Sequence, residues 1–336
     1  MDSYLTALEA ELRALVVSPD PAYDTYYGMF KYHLGWTDTH FIPTKTDAGK
    51  RIRPLLCLLV CEATCGEWHP ALPIATAIEL VHNFSLIHDD IEDSSDERRG
   101  RAAVWKVWGL AQGLNAGDGM FMLARLALDH MPRRGIAAQK CAQINLEFDM
   151  TTLKLCHGQF LDLNFESRLD VTIDEYLKMI RGKTGALVSA SAKLGAIVGT
   201  DDPKLLDAFA QFGENIGLAF QITDDILGIW GDPAVTGKSA ATDILSKKKA
   251  LPAVIGLSHP QHGAALREIY HKPTLASDDV KHVLAILDAV SAREQTQQRA
   301  HEYQAAALAA LDSTGLDSRA MGRLREIAES MTRRVR

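Results

Sequence analysis

The 336-residue sequence lacks the features of several large classes of protein. It has no uninterrupted apolar run of about 18 residues, the length that predicts a transmembrane helix. Its N-terminal residues mix acids into their apolar stripe, unlike a secretory signal. Basic residues do not exceed acidic ones, and the net charge of −7 gives no general attraction to nucleic acid. We therefore expect no membrane span, no secretion by that route and no nucleic-acid partner.

Cysteine is scarce, and its spacing disfavours disulfide bonds. Three of the five cysteines, Cys57, Cys61 and Cys65, recur every four residues on one helical face, a poor geometry for bridging one another. Three such thiols could belong to a zinc site, but the pattern supplies no fourth ligand, and small buried apolar residues are the simpler interpretation. We expect a reducing, cytoplasmic compartment.

Helical periodicity is what the sequence has in abundance. Apolar residues recur at helical spacing along almost the whole chain, as in Leu5, Leu8 and Leu12. Short turn-forming segments separate these runs, and none resembles a flexible linker. The composition, 47% hydrophobic and 7% aromatic, suits a helix-rich globular protein. We predict an all-α fold, a single domain over residues 1–336 with ten or more helices and no sheet.

Four Asp-Asp pairs occur, and their positions differ. The pair at 201 and 202 precedes a proline, and the pair at 278 and 279 follows a serine. Both predict helix starts, where a capping or first-turn acid is favoured by the helix dipole. The pairs at 89/90 and 224/225 lie instead toward the C-terminal ends of long apolar runs, where the dipole disfavours acids. These two pairs need a compensating cation.

The first of these pairs suggests which cation. Asp89 and Asp93 are four residues apart and share a helix face with Asp90 beside them, a repulsive arrangement. Magnesium is held in proteins by one or two carboxylates together with substrate phosphates, and it would relieve the repulsion. The alternative is a solvated acidic face neutralised by Arg98 and Arg99.

Three basic clusters favour a phosphorylated ligand. Arg98 and Arg99 present two guanidinium forks suited to phosphate oxygens, and a glycine follows them. The segment "GKRIRP" (49–54) lies at the start of an apolar helix, and a third cluster comprises lysines at 238 and 247–249. Acids for a metal and separate basic clusters in an acidic protein indicate two polyphosphorylated substrates.

The motifs resemble those of the trans-polyprenyl diphosphate synthases, including the short-chain farnesyl and geranylgeranyl diphosphate synthases. The matching segments are "GKRIRP", "DDIEDSSDERRG" (89–100) and "FQITDDILGIWGDPAVTGK" (220–238), with "GQFLD" (158–162) and "RGKTGAL" (181–187) between them in family order. The resemblance covers about residues 45 to 252. It implies the isoprenoid synthase type I fold, in which helices surround a central hydrophobic cavity, and usually a homodimer.

The resemblance also implies a reaction. An allylic diphosphate (dimethylallyl, geranyl or farnesyl) would lose its diphosphate with the help of three Mg²⁺ ions. The alkene of isopentenyl diphosphate would attack the resulting carbocation in a head-to-tail 1'-4 condensation, and the departing diphosphate would take the C2 proton. This chemistry needs no side-chain base, and the sequence shows no Ser-His-Asp or Cys-His arrangement.

Site residues follow from the same resemblance. The metal ligands would be Asp89, Asp93 and Asp224, supported by Asp90 and Asp225. The residues that would hold the allylic diphosphate are Arg98, Lys183, Thr184, Gln221 and Lys238. Those that would hold isopentenyl diphosphate are Lys50, Arg53, His82 and Arg99. Spacing independently puts His82 two helical turns before Asp89 on one face, although a core histidine would satisfy the same pattern.

The sequence departs from the family pattern in two places. Gly228 stands where many members carry the third aspartate of the second motif, and the segment "SAATD" ending at Asp243 is also unusual. We expect weaker support for the metal but retained activity. The roles of Asp243 and Lys248 stay open.

Product length in this family is set on the helix before the first motif. Here Phe84, backed by Val81 and Ile78, would form the floor of the hydrocarbon pocket, while Ser85 is small where short-chain enzymes often have a second aromatic. Three residues span about 4.5 Å of helix, comparable to one isoprenyl unit. One aromatic stop predicts a C20 product, with C15 as the next choice, unless Phe84 is plain core.

Two other functions share the acidic motifs. A class I terpene cyclase uses similar metal sites but needs no second diphosphate pocket, so the isopentenyl diphosphate set argues against it. A non-catalytic partner subunit of a synthase would typically have lost acids from the metal motifs. Both acidic pairs are intact here, although Gly228 keeps that alternative open.

Overall fold

The computed structural model describes residues 2–44, 46, 49–231 and 241–332, which are almost entirely helical. Two compact units are present. Unit 1 comprises Met1–Phe148 and Lys193–Asp201, and unit 2 comprises Asp149–Ala192 and Asp202–Arg336. The prediction of an all-α fold is confirmed, whereas one domain over the whole chain stays a prediction.

Unit 1 is organised around one long apolar helix. That helix, α4, packs against α1, α3 and α6, and its residues from Leu72 to Val81 are all buried. Left-handed Gly66 ends α3 because a glycine adopts that backbone conformation without strain. The helices are α1 (Asp2–Leu15), α2 (Asp24–His33), α3 (Ile52–Cys65), α4 (Leu72–Glu92), α5 (Val104–Trp108), α6 (Leu110–Leu128) and the first part of α7 (Ala138–Glu166).

The segment His69–Glu92, which contains α4, is long and apolar enough to cross a membrane by length and composition alone. However, 72% of its most apolar window is buried inside the protein. The core helix of a globular protein passes the same test, so this feature is weak support for a membrane span.

A short hairpin follows α4 and corrects the prediction that the chain has no sheet. Strands β1 (Glu97–Arg98) and β2 (Arg101–Ala102) pair antiparallel, and Arg99 and Gly100 form the turn with φ values of 54° and 70°. Two consecutive left-handed residues are typical of a tight two-residue hairpin. Strands of two residues are too short for alternation to be recognised in a sequence.

Unit 2 is built around α10, which packs along α15 and against the π-helical turn. Asp202 caps α10 by accepting a hydrogen bond from the Lys204 N–H (2.9 Å), and Asp279 accepts one from the Ala276 N–H (3.0 Å) at the start of α14. Both acids have the structural role predicted for them. The elements are the rest of α7, α8 (Ile173–Ile180), the π-helical turn (Arg181–Gly185), the first part of α9 (Ala186–Gly199), α10 (Pro203–Trp230), α11 (Thr242–Leu245), α12 (Leu251–Ser258), α13 (Gly263–Tyr270), α14 (Ser277–Ala289), α15 (Ala292–Ser313) and α16 (Arg319–Thr332).

None of the five cysteines, all of which lie in the described ranges, forms a disulfide bond. Cys57 and Cys61 are buried in α3, and burial raises the pKa of both thiols. A protonated buried thiol behaves as a small apolar side chain. This burial supports the apolar interpretation of the cysteine stripe over the zinc alternative.

Candidate active site

Each of the two C-terminal Asp pairs contains one partly exposed and one buried carboxylate. Asp89 and Asp224 are partly exposed, whereas Asp90 and Asp225 are each only 1% exposed. Consecutive helical residues point roughly 100° apart, so one acid of a pair faces the protein interior when the other faces outward. The leading acids can reach a ligand, and the second acids can hold the surrounding structure.

In unit 1, Arg98 of the hairpin binds both acids of the first pair. Its Nε and Nη2 atoms donate to Asp90 Oδ1 at 2.8 and 2.5 Å, and Nη2 lies 3.4 Å from Asp89 Oδ2. Burial raises the pKa of Asp90, and the Arg98 guanidinium opposes that effect. Asp90 therefore anchors the hairpin beside the partly exposed carboxylate of Asp89.

A cationic cluster in unit 1 gathers three of the residues predicted for isopentenyl diphosphate. Arg53 Nη1 lies 3.4 Å from His82 Nε2, and burial together with Arg53 and Arg99 holds the pKa of His82 well below its ordinary value. Gly49 has a φ of 83° and lies close to Arg99: a Cβ atom added to this glycine would be 3.3 Å from Nη2 of Arg99. The next residue, Lys50, is exposed. Because the imidazole near Arg53 and Arg99 is neutral, the cluster keeps the positive charge of its guanidinium groups and is suited to an anion.

Arg51, in the middle of the same basic motif, has a different role. It forms a buried ion pair with Glu79, and the Asn83 side-chain amide also donates to Glu79 at 2.5 Å. Arg51 has a φ of 49° and immediately precedes α3. This residue ties the start of α3 to α4, two residues before Arg53.

In unit 2, a buried hydrogen-bond network centres on Asp225. Its Oδ2 accepts hydrogen bonds from the Tyr176 hydroxyl (2.6 Å) and the Leu251 N–H (2.8 Å), and its Oδ1 accepts one from the Gln221 side-chain amide (3.1 Å). The Thr184 hydroxyl donates to Gln221 Oε1 at 2.8 Å. Both Asp225 oxygens are therefore engaged, and the network fixes the amide orientation of Gln221.

A small cavity of about 30 Å³, lined by both polar and apolar side chains, lies beside this network. The Lys183 ammonium forms an ion pair with Asp162 at 2.6 Å at its wall. Lys248 lines the cavity too; desolvation lowers its pKa, but the charges of Asp225, Asp243 and Asp162 raise it more. Its other polar lining residues are Tyr176, Thr184, Gln221, Asp225 and Lys249.

Glycine contacts hold the π-helical turn that carries Lys183. A Cβ on Gly182 would lie 2.8 Å from the Cα atom of Gly158 in α7, and a Cβ on Gly217 in α10 would lie 3.0 Å from the Cα atom of Gly185. Such close backbone approaches are open only to glycine. The turn is thus fixed against two helices, and π-helical turns of this kind occur frequently at functional sites.

Sequence reasoning missed three side chains of this cavity. Asp162 is the last residue of the "GQFLD" motif, and its place in that motif could have identified it as a site residue. Lys248 was left without a role, and nothing in the local pattern distinguishes Tyr176, which is 49 residues from its partner Asp225. Their partners become visible only when the helices are packed.

The remaining predicted site residues are Asp93, Phe84 and Lys238. Asp93 is exposed and follows the last residue of α4. Phe84 is buried in α4, with its ring centroid 5.2 Å from that of Phe121 in α6. Lys238 lies outside the described residues.

The buried tyrosine allows a test of the Asp225 network. Replacing Tyr176 with Phe removes one of the three hydrogen bonds to a buried carboxylate, and hydrogen bonds to charged groups are worth about 1.5–3 kcal/mol. We expect the free energy of unfolding, measured by urea denaturation, to fall by about that amount. The exposed Tyr23→Phe is the control, and equal effects of the two substitutions would contradict the network's structural role.

The donor chemistry of unit 1 fits a magnesium ion. Asp90 Oδ2 is a buried oxygen without a hydrogen-bond partner within the described ranges, and Arg98 contacts the carboxylates of both Asp90 and Asp89. Across those ranges, no group of three His, Cys, Asp or Glu side chains could hold a metal by itself. Magnesium suits such a site because it takes few carboxylates and completes its coordination with water and substrate phosphates.

Comparisons with known proteins agree with these features. Residues 39–287 match the family model described as polyprenyl synthetase. A (2E,6E)-farnesyl diphosphate synthase of Mycobacterium tuberculosis is 38% identical over 88% of this chain and 83% of its own length. A geranylgeranyl diphosphate synthase of the same organism is 37% identical over 84% and 80%.

The fold has solved counterparts as well. A polyprenyl synthetase from Streptomyces coelicolor A3(2) superposes with a TM-score of 0.89 at 33% identity, covering 98% of both chains. The family model spans most of the sequence, including every motif between "GKRIRP" and the second acidic pair. The chain therefore belongs to the polyprenyl synthetase family and is a trans-prenyltransferase.

Proposed function

We propose that this prenyltransferase is a magnesium-dependent short-chain synthase that condenses an allylic diphosphate with isopentenyl diphosphate by head-to-tail 1'-4 addition. The observation that carries the proposal is that the two acidic pairs have the same arrangement of exposed and buried carboxylates. Each pair has a partly exposed carboxylate, Asp89 or Asp224. It is followed directly in the sequence by a buried carboxylate that accepts hydrogen bonds, Asp90 or Asp225. The family generally uses Mg²⁺, which suits these oxygen donors.

The allylic diphosphate is proposed to bind basic side chains that form ion pairs with acids in this structure, such as Arg98 and Lys183. We propose Asp89, Asp93 and Asp224 as ligands of three Mg²⁺ ions per active site, with Asp90 and Asp225 in support. Bound magnesium would stabilise the negative charge of the departing diphosphate. The residues proposed to hold the diphosphate are Arg98, Lys183, Thr184, Gln221 and Lys238, to which the cavity adds Lys248.

Isopentenyl diphosphate is assigned to the cationic cluster of unit 1. Arg53 contacts a neutral His82, the charge of Arg99 also acts on that imidazole, and the exposed Lys50 follows Gly49. These donors hold the diphosphate while the alkene attacks the allylic C1 as its C–O bond breaks. The C2 proton passes to the departing diphosphate, so the chain's residues act by binding and orienting the substrates.

A C20 product fits the aromatic stop on α4, and C15 is the alternative. Phe84 is buried and packs on Phe121 as a pocket floor would. The two mycobacterial relatives, one named for each product, have nearly equal identity to this chain and do not separate the alternatives.

Truncating Phe84 tests this assignment. Phe84→Ala removes the ring from the floor, so we expect products longer by at least one isoprenyl unit. Chromatography of the dephosphorylated products measures the change. An unchanged product distribution would contradict the role of Phe84 as the floor.

One incubation separates the proposed function from its rivals. The purified chain alone receives Mg²⁺, isopentenyl diphosphate and, in separate reactions, dimethylallyl, geranyl or farnesyl diphosphate. Elongated prenyl diphosphates support the synthase. Cyclic hydrocarbons formed without isopentenyl diphosphate would indicate a terpene cyclase, and no product in any reaction would indicate a partner subunit.

We also propose a homodimer in the cytoplasm. Helix α6 exposes Leu110, Leu114, Met122 and Leu126, and α7 exposes Leu146, Met150, Leu153 and Phe160. Apolar side chains concentrated on two helices are typical of a surface that another subunit covers. Five cysteines without a disulfide bond among them fit a reducing compartment.

Light scattering of the purified chain tests the assembly. We expect twice the chain mass of 36.9 kDa. For Leu126→Glu we expect the measured mass to fall toward that of one chain, because a charge on this surface opposes association. A monomeric wild type would contradict the proposal.

A further inference from the structure

The hairpin after α4 places two like charges directly opposite each other. Arg98 in β1 pairs with Arg101 in β2 across the turn formed by Arg99 and Gly100. Like charges at directly opposed positions destabilise a strand pair. A two-stranded hairpin is also marginally stable by itself, so contacts with the rest of the protein must hold it. The two arginines find those contacts in different places.

Arg98 is held by acids, whereas Arg101 is held by carbonyl and hydroxyl oxygens. Arg101 Nη1 donates to the Tyr32 carbonyl and to Thr46 Oγ1, both at 3.1 Å, and Nη2 donates to the Thr37 carbonyl at 2.6 Å. Tyr32 lies in the last turn of α2, where carbonyl oxygens lack the usual helical partners and attract a cation. Arg101 therefore connects the hairpin to the end of α2 and to the segment that follows α2.

Tyr32 completes this connection from the side of α2. The Arg101 guanidinium lies over its ring, with 3.9 Å between Cζ and the ring centroid, an attractive cation–π geometry. The Tyr32 hydroxyl donates to the Ala102 carbonyl at 2.8 Å. Tyr32 is itself only 5% exposed. One buried residue of α2 thus holds both a side chain and a main-chain carbonyl of β2.

The contact with Thr46 links the hairpin to the first basic motif. Thr46 precedes Lys50 by four residues, and its hydroxyl and its N–H both donate to the Gly35 carbonyl, at 3.2 and 3.3 Å. Arg101 therefore contacts a well-anchored residue shortly before "GKRIRP" (49–54), the motif that carries Lys50 and Arg53. The separation between that motif and the turn at Arg99 depends on this contact.

Three guanidinium groups line one small cavity at the hairpin. The cavity measures about 20 Å³, and Arg98, Arg99 and Arg101 line it together with Tyr32 and His33. Burial and the arginine charges hold the pKa of His33 well below its ordinary value, so the imidazole adds no positive charge. Like charges this close repel one another, and each guanidinium must be held in place. Because the acceptors of Arg101 are uncharged oxygens, they fix its position without cancelling its charge.

We propose that Arg101 is a positioning residue that fixes the turn carrying Arg99 relative to the "GKRIRP" motif and so preorganises the cationic cluster for isopentenyl diphosphate. The turn is held at its first end by the contact of Arg98 with Asp90 and at its second end by Arg101. Arg99 lies between these two ends. The inference rests on the proposed binding of isopentenyl diphosphate to this cluster.

Two substitutions weaken the connection in different ways. Arg101→Lys keeps the charge but replaces the planar fork with one ammonium on a flexible stem, which cannot reproduce three hydrogen bonds in fixed directions. Tyr32→Phe keeps the ring and the α2 carbonyl but removes the hydrogen bond to β2. The matched control is Arg125→Lys in α6. Arg125 also donates to an uncharged oxygen, Asn145 Oδ1 at 3.0 Å, and also lies over a ring, that of Phe148.

Calorimetric titration with isopentenyl diphosphate, in the absence of an allylic substrate, reports on the cluster directly. We expect Arg101→Lys to weaken this binding about tenfold, the effect of losing about one hydrogen bond from a displaced Arg99. In steady-state kinetics, KM for isopentenyl diphosphate should rise by the same factor while kcat changes little, because binding of the ground state and the transition state is lost equally.

The second substrate provides the contrast. KM for the allylic diphosphate should stay near its wild-type value in Arg101→Lys, since Asp90 holds Arg98 independently. Tyr32→Phe should show the same pattern with a smaller factor, and it carries the test alone if Arg101→Lys does not fold. Arg125→Lys should leave both KM values unchanged.

Unchanged affinity for isopentenyl diphosphate in Arg101→Lys and Tyr32→Phe would overturn the inference, because the turn would then hold Arg99 without these contacts. Equal losses for the two substrates, or an equal loss in Arg125→Lys, would also overturn it. Such losses would reflect lower overall stability, which thermal unfolding of the same variants measures. A wild type that neither binds isopentenyl diphosphate nor elongates any allylic diphosphate refutes the proposed function and the inference together, whereas the other outcomes refute the inference alone.

Discussion

Asp224→Asn is expected to lower kcat about a thousandfold while leaving the free energy of unfolding nearly unchanged. Asp224 is partly exposed near the end of α10 and is the proposed metal ligand of its pair. Metal stabilisation of a departing oxygen is worth several kcal/mol, and each 1.4 kcal/mol corresponds to about a factor of ten in rate. An amide oxygen keeps the shape but loses the charge that holds the cation.

The neighbouring Asp225→Asn is the matched control, and its profile should be the reverse. All three donors to Asp225 are oriented toward carboxylate oxygens, so an amide nitrogen in one of those positions leaves a buried donor unsatisfied. This costs about 1–3 kcal/mol of unfolding free energy. Urea denaturation and steady-state kinetics with the preferred allylic diphosphate measure both variants. Equal kinetic loss without a stability difference would contradict the division of labour within the pair.

In both units, the cations proposed to bind the diphosphate are paired with acids. These ion pairs explain how the protein tolerates the charges when no substrate is bound. Arg98 is paired with the buried Asp90, as Lys183 is paired with Asp162 in unit 2. A buried charge without a partner is costly, so each cation proposed for the diphosphate needs an acid when no substrate is bound. Binding then exchanges or shares these contacts with phosphate oxygens.

Much of the fold class could be predicted because helical periodicity and helix starts are local properties. The apolar stripe of α1 and the capping acid Asp202 follow from residues a few positions apart. The same logic separated the two structural Asp pairs from the two candidate site pairs, since the dipole favours acids at one helix end only. The resemblance then named the roles that spacing alone left open.

The rest depends on contacts between distant segments, which leave no period in the sequence. The ion pair of Lys183 and Asp162 spans 21 positions, and the hydrogen bond from Tyr176 to Asp225 spans 49. A Cβ at Gly228 would lie 2.5 Å from the Asp243 Cγ atom, an approach that depends on where α11 packs against α10. Even the hairpin at Arg99 is defined by two left-handed residues rather than by a pattern.

Gly158→Ala is expected to disrupt the site more than its single added methyl suggests. A Cβ there would lie 2.5 Å from the Gly182 carbonyl carbon and 2.7 Å from the Lys183 Cα atom, so it would meet backbone rather than a movable side chain. The π-helical turn must then move away from α7 and take the Lys183 ammonium with it. Misplacement of a substrate-positioning group by about 1 Å can cost a hundredfold in rate, and we expect kcat/KM for the allylic diphosphate to fall by about that factor.

The loss in stability should accompany the loss in rate. Overpacking a tight contact costs about 1–3 kcal/mol, which urea denaturation will detect. Gly322→Ala in α16 is the matched control, because a Cβ at that helical glycine meets nothing within 4 Å. This control should gain about 0.5–1 kcal/mol from the better helix propensity of alanine and keep its activity. If Gly158→Ala behaves like Gly322→Ala, the backbone contact does not position Lys183, and the lysine must be placed by its ion pair with Asp162 instead.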